Sequence, residues 1–309
     1  MNGARNLWAN RLRTDFRAAL GLIALLCLVP LFVSSPYTLG ILIVSMYFAM
    51  LALGWNLLAG FAGQFSLAPA AFAMLGAYAT ALLNYHLKAP LAVGIPAAIV
   101  ATALLGYLLG RVVLRLKGPY LALTTLSFAE IARVVVYNSY GFTRGDQGLN
   151  VPSLMESRVG YYYLFVAVLG AVLAGLYALM RGRVGRFWLA IRDDETGAES
   201  RGIDVVRYKT FAFALSCALC GLAGSLYGTF SQLVSPEMGL LLQTGLVIAM
   251  VVIGGIGTLT GPVVGALLVY LASEWLREFG NIQLIVFSIA VIIVARFFRT
   301  GLWGLATRR

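Results

Sequence analysis

Charge is scarce in this chain. Asp, Glu, Lys and Arg make up 11% of its 309 residues and hydrophobic side chains 61%, where soluble proteins carry roughly 25% and 45–50%. That excludes an ordinary soluble globular protein. Histidine is nearly absent: His86 is the only one, at the end of an apolar run beside Lys88. Of the three cysteines, Cys27, Cys217 and Cys220, all fall in apolar segments, and an odd number offers no disulfide framework. Cys217-x-x-Cys220 lacks a second Cys or His pair for zinc, so ordinary helix packing is its expected role. None of the three lysines sits in a G-x-x-x-x-G-K-[ST] loop, so the chain by itself has no phosphate cradle for ATP hydrolysis. No nucleophile with a base, no metal cluster and no paired acids appear. The expectation is no catalytic residues, no metal and no cofactor of its own.

What the chain has instead is long apolar runs. They cover about 18–33, 39–59, 67–85, 91–109, 120–137, 161–180, 210–230, 240–256, 263–276 and 282–298, and a membrane span needs about 20 residues. The first run follows Arg5, Arg11, Arg13 and Arg17 and could be a secretory signal. It lacks an A-x-A-like site, so an uncleaved first helix is expected. With the N-terminus inside, eighteen Lys and Arg fall on the inner side and four outside, with Arg133 within a span. This bias predicts an even number of spans and both termini cytoplasmic. It also explains the formal charge of +11 better than nucleic-acid binding does. The expected fold class is all-α: a polytopic membrane protein of about 8–10 transmembrane helices in one transmembrane domain, 1–309. Broken or re-entrant segments are expected at Gly-rich places such as 63–69.

One long stretch, 181–209, cannot lie in hydrocarbon, because it carries seven basic and five acidic residues. Phe187, Trp188, Ala190 and Ile191 precede an acidic run, and Ala198, Gly202 and Ile203 follow. The pattern predicts one or two short amphipathic helices, with Asp193 and Asp194 placed to cap the second. The segment is either a solvated charged loop or a docking surface for a cytoplasmic partner. On the opposite side, 138–160 is the longest loop and the natural surface for anything arriving from outside.

Inside the apolar runs, Glu130 and Arg133 lie three apart and close to mid-membrane. Charges there are costly and are expected to face the interior and pair. They are either a structural ion pair or part of a polar path with Thr124, Thr125 and Ser127. Gln64 and Ser66 sit among glycines and before Pro69, where a broken helix can offer backbone groups to a solute, or where a tight turn packs. Around 254–265, GGIGTLTGPVVG is no dinucleotide fingerprint. Its small residues predict two helices approaching closely about a turn.

These stretches together resemble the inner-membrane permeases of ATP-binding-cassette importers for branched-chain amino acids, the LivM type with its LivH sister. The resemblance is carried by Gly63-Gln64 with Ser66-Leu67, and by Gly76-Ala77-Tyr78. It continues through Gly118-Pro119-Tyr120 to Glu130, then 145–152, Ala190-Ile191-Arg192-Asp193-Asp194-Glu195 to Gly202-Ile203-Asp204, and Gly254-Gly255 to Gly265-Ala266. It implies a multi-pass permease of the bacterial inner membrane, contacting membrane lipid but no nucleic acid. It implies pairing with a second, LivH-type permease, two cytoplasmic ATPase subunits that use the ATP, and an external solute-binding protein. Gln64, Ser66, Thr124, Thr125, Glu130 and Arg133 are then expected along the substrate path. Arg192, Asp193, Asp194, Glu195, Glu199 and Gly202 are expected to couple to the ATPase. Alternatives are a permease of the same family for urea, an amide or a small carboxylate, or an ion-coupled secondary transporter. The latter would want several buried carboxylates, and Glu130 is the only mid-span one.

Overall fold

The computed structural model describes residues 2–32, 35–113, 116, 118–277, 289 and 301–306. Its helices are α1 (Asn2–Phe32), α2 (Pro36–Asn56), α3 (Pro69–Leu87), α4 (Leu91–Val113), α5 (Pro119–Asn138), α6 (Tyr140–Thr143), α7 (Arg158–Arg181), α8 (Arg183–Asp193), α9 (Glu195–Ser200), α10 (Val205–Ser231), α11 (Leu241–Gly254), α12 (Thr260–Leu276) and α13 (Gly301–Ala306). A two-residue pairing of β1 (Leu149–Asn150) with β2 (Leu233–Val234) is antiparallel. Among the described residues six stretches are long and apolar enough to cross a membrane: Leu12–Phe32, Pro36–Phe61, Leu91–Val113, Pro119–Asn138, Arg158–Arg181 and Val205–Ser231. α11 and α12 are apolar but shorter. The fold is all-α and polytopic. Nine of the ten predicted runs coincide with helices, and the tenth, 282–298, lies outside the described residues apart from Ile289.

Two elements differ from the sequence reading. α1 begins at Asn2, so the basic stretch expected before the first helix belongs to it. Arginine and alanine are strong helix formers and no proline interrupts residues 2–17. The helix break expected at 63–69 is present but begins earlier, at Leu57. α2 runs into a π-helical turn, Leu57–Phe61, and an irregular segment then leads to Pro69, the first residue of α3.

The chain divides into two compact units, each discontinuous in sequence. The first comprises Met1–Asn56, Ser157–Arg186 and Ile248–Arg309. In it α2 packs on α7 and α12, and α1 on α7 and α12. At one end Asn56 Nδ2 donates to the Thr258 carbonyl and its Oδ1 accepts from Gly257 N–H, at 2.7 and 2.8 Å. At the opposite end Arg158 Nη1 donates to the Pro36 carbonyl at 2.9 Å, and Tyr37 donates to Glu274 at 2.8 Å. The glycines at 254–265 act as predicted. A Cβ on Gly254 would stand 2.0 Å from the Gly261 carbonyl oxygen, so only hydrogen at that position allows the backbones to approach.

The second unit comprises Leu57–Glu156 and Phe187–Val247. α10 packs along α3 and α4, and α3 along α4 and α5. The α3–α10 contact is close for the same reason: a Cβ on Gly76 would meet the Gly221 carbonyl oxygen at 2.4 Å. Where α3 ends, His86 stacks on Phe142 with ring centres 5.0 Å apart, and Arg144 Nη2 donates to the Tyr85 hydroxyl at 3.0 Å. The first part of the 138–160 loop, with Phe142 and Arg144, is thus folded back on that helix end. There, outside the spans, Tyr140 donates to Asp146, which raises its phenol above the ordinary tyrosine pKa.

Candidate functional site

The charged stretch forms two helices, and their positions follow from its few apolar side chains. Trp188 is fully buried, donates its indole N–H to the Tyr208 carbonyl at 2.8 Å, and stacks on Phe211. One helical turn on, Ile191 joins Ala198 and Val205 in a small buried cluster. α8 is thereby fastened to the start of α10. Asp194 begins α9 in an extended conformation and accepts from Gly197 N–H at 3.0 Å, satisfying one of the free donors of the first turn. Asp193, expected to share that role, closes α8 instead, and its carboxylate takes both Nε and Nη2 of Arg192 at 3.0 and 2.9 Å. α9 ends on Gly202 at φ +81°, with Gly202 N–H bonded to the Glu199 carbonyl and Ile203 N–H to that of Ala198. This is the paired closure that favours glycine after a helix. Glu195 is engaged by Lys209 at 2.6 Å. Asp193, Thr196, Glu199 and Arg201 remain exposed.

Arg192 points toward the helix break. Its Nη1 donates to the Gly60 carbonyl at 2.7 Å. Gly63 has φ +70°, and a Cβ there would lie 3.0 Å from Arg192 Cα and 2.9 Å from its Cγ, so glycine is required by conformation and by space. Next along the break, Gln64 is buried, with neither amide atom hydrogen-bonded among the described residues. The Ser66 hydroxyl accepts from Ala68 N–H at 3.3 Å, and Leu67 N–H donates to Thr125 Oγ1 at 2.9 Å. The break is therefore tied to α8 at one side and to α5 at the other.

The Glu130–Arg133 ion pair forms as expected, with Arg133 Nε bonded to Glu130 Oε2 at 3.1 Å. Its placement does not match the sequence reading. The Glu130 side chain is 51% exposed and that of Arg133 24%, because α5 packs through Leu121, Thr125, Ala129 and Val136, leaving Glu130 on its far side with Leu123, Ser127 and Val134. Thr124 is partly exposed and bonds the Tyr120 carbonyl at 2.8 Å. The six residues expected on one path thus divide. Gln64, Ser66 and Thr125 gather at the break, whereas Thr124, Glu130 and Arg133 do not join them. Among the described residues no group of three or more His, Cys, Asp or Glu could hold a metal.

Residues 37–295 match the family described as branched-chain amino acid transport system / permease component. The chain belongs to this permease family. The high-affinity branched-chain amino acid transport system permease protein LivM of Escherichia coli K12 is 32% identical over 294 residues, 85% of this chain and 69% of that protein. LivH of the same strain is 25% identical over 281 residues, covering 83% and 91%. The ribose import permease protein RbsC of Haemophilus influenzae is 25% identical over 283 residues, 87% of each chain. No solved structure matches.

Two polar residues of this permease were not visible as important in its sequence. Asp15 is buried in the first unit, accepting from Leu259 N–H at 2.6 Å, Thr260 N–H at 3.3 Å and Trp303 Nε1 at 2.8 Å, while its own carbonyl takes the Thr260 hydroxyl at 2.7 Å. It caps α12 from another helix. Asn56 holds the adjoining turn. The available signal was an acid within an arginine-rich start, and an amide closing a run of apolar residues.

Proposed function

We propose that this permease is one of two membrane subunits of an ATP-binding-cassette importer moving branched-chain or related hydrophobic amino acids into the cytoplasm. Two separate cytoplasmic ATPase subunits energise it, and an external solute-binding protein delivers the solute near 138–160. Both termini and 181–209 are cytoplasmic. Membership of the family supports the solute class. The observation that carries the coupled mechanism is the capped, firmly docked pair α8–α9, which presents Asp193, Thr196, Glu199 and Arg201 outward. A solvated loop has no need of an N-cap, a glycine closure and a buried tryptophan.

The outward position of Glu130 bears on the path. A charged pair near mid-span is poorly solvated by lipid, so the second permease subunit covers this face of α5 and the solute passes where the two subunits meet, beside Thr124, Glu130 and Arg133. Gln64, Ser66 and Thr125 shape the break that opens or closes the route. Co-purification tests the assembly. The tagged chain, co-expressed with its partners, is expected to bring down an ATPase subunit and a second permease, and Glu199→Lys with Arg201→Glu to lose the ATPase alone. A chain that purifies by itself and transports unaided would contradict the reading.

A further inference from the structure

We propose that Arg192 is a positioning residue that carries movement of α8 and α9 into the helix break before α3, rather than a contact to the ATPase. This rests on the importer reading above. The guanidinium is oriented by Asp193 through Nε and Nη2, which leaves Nη1 for the Gly60 carbonyl at 2.7 Å. The contact is not confined to a side-chain tip, since the backbone of Arg192 lies against Gly63, where any Cβ would meet its Cα at 3.0 Å. Displacing the end of α8 therefore pushes on the main chain of the break.

The break is built to respond. In its π-helical turn the Leu57 carbonyl accepts from Ala62 N–H, and that of Leu58 from Ala62 and Gln64 N–H, while Gly60 turns its carbonyl to Arg192. Such turns are local departures from the α-helix that recur at functional sites. Gln64 buries both amide atoms with no partner among the described residues, a costly state for a polar group. A second arrangement in which that amide is bonded would regain the cost, which gives the segment two states for α8 to choose between. The far end of the break is bonded to Thr125 of α5, the helix placed on the solute route.

The test uses the full complex in proteoliposomes, with ATP-driven leucine uptake and hydrogen exchange of 57–68 and 195–200 measured with and without ATP. In the wild type both segments change exchange on ATP binding. Arg192→Met is expected to stay assembled with the ATPase and to keep the change at 195–200. It is expected to lose the change at 57–68 and to lower uptake by about tenfold or more, the scale of coupling between distinct sites. Arg192→Lys, which retains a donor, recovers part of both. The proposal is overturned if Arg192→Met keeps the 57–68 response or full uptake. It is equally overturned if Arg192→Met releases the ATPase, or if neither variant assembles. A wild-type complex without ATP-driven uptake would instead refute the importer reading, whatever Arg192 does.

Discussion

Glu130 and Arg133 bond to each other on a helix face that the described residues leave open. If a second subunit covers that face, the pair is buried only in the assembled complex. Removing one member then leaves an uncompensated charge costing about 3–5 kcal/mol, whereas removing both is nearly neutral. Glu130→Gln and Arg133→Met are each expected to lower the melting temperature of the purified complex but hardly that of the isolated chain, and the double variant to recover most of the loss. Recovered stability without recovered uptake would place the pair on the solute route, and additive losses would contradict its working as a unit. Asp15 makes a different prediction. Asp15→Ala strands two backbone donors and an indole N–H in a buried place, at about 1–3 kcal/mol for each group left unsatisfied. It should lower the melting temperature of the isolated chain, and an unchanged melting curve would show that the clamp contributes nothing.

Among the elements of the charged stretch, α9 is the more exposed to single changes, because six residues hold few internal bonds and depend on their ends. Asp194→Ala removes the N-cap at about 0.5–2 kcal/mol, and Gly202→Val forces a β-branched residue to φ +81°. Both are expected to raise hydrogen exchange across 195–200 and weaken ATPase binding, while the melting temperature stays near that of the wild type. Protection of 195–200 equal to wild type would count against the caps. The helices themselves were legible, since runs of about twenty apolar residues have few other uses. So were the acidic start and glycine end of α9. Which face of α5 packs was not legible: exposed Leu123, Ile131 and Val134 are as apolar as the buried positions, and lipid-facing residues erase the polar stripe that reveals orientation in soluble helices. Nor was the Arg192–Gly60 bond, which joins residues 132 apart in sequence through a break that no periodicity marks.

At the scale of the molecule, the four Lys and Arg residues counted outside fall in pairs, one pair in each unit. Arg158 and Arg277, both counted outside, lie at the same end of the first unit, beside Pro36 and Glu274. Lys88 and Arg144, also counted outside, share an end of the second, where α3 closes on the 138–160 loop. In a variant lacking Cys27, Cys217 and Cys220, a cysteine at Ser200 is expected to react with a membrane-impermeant maleimide only in inside-out vesicles, and one at Gln147 only in intact cells. On the proposed reading, this chain is expected to move amino acids inward only as part of an ATP-driven assembly. The most direct measurement is radiolabelled leucine uptake into proteoliposomes holding the chain with its second permease and ATPase subunits, with the solute-binding protein outside and ATP enclosed. Uptake that needs every component and stops when ATP is withheld is the predicted result; equal uptake by liposomes containing this chain alone would contradict it.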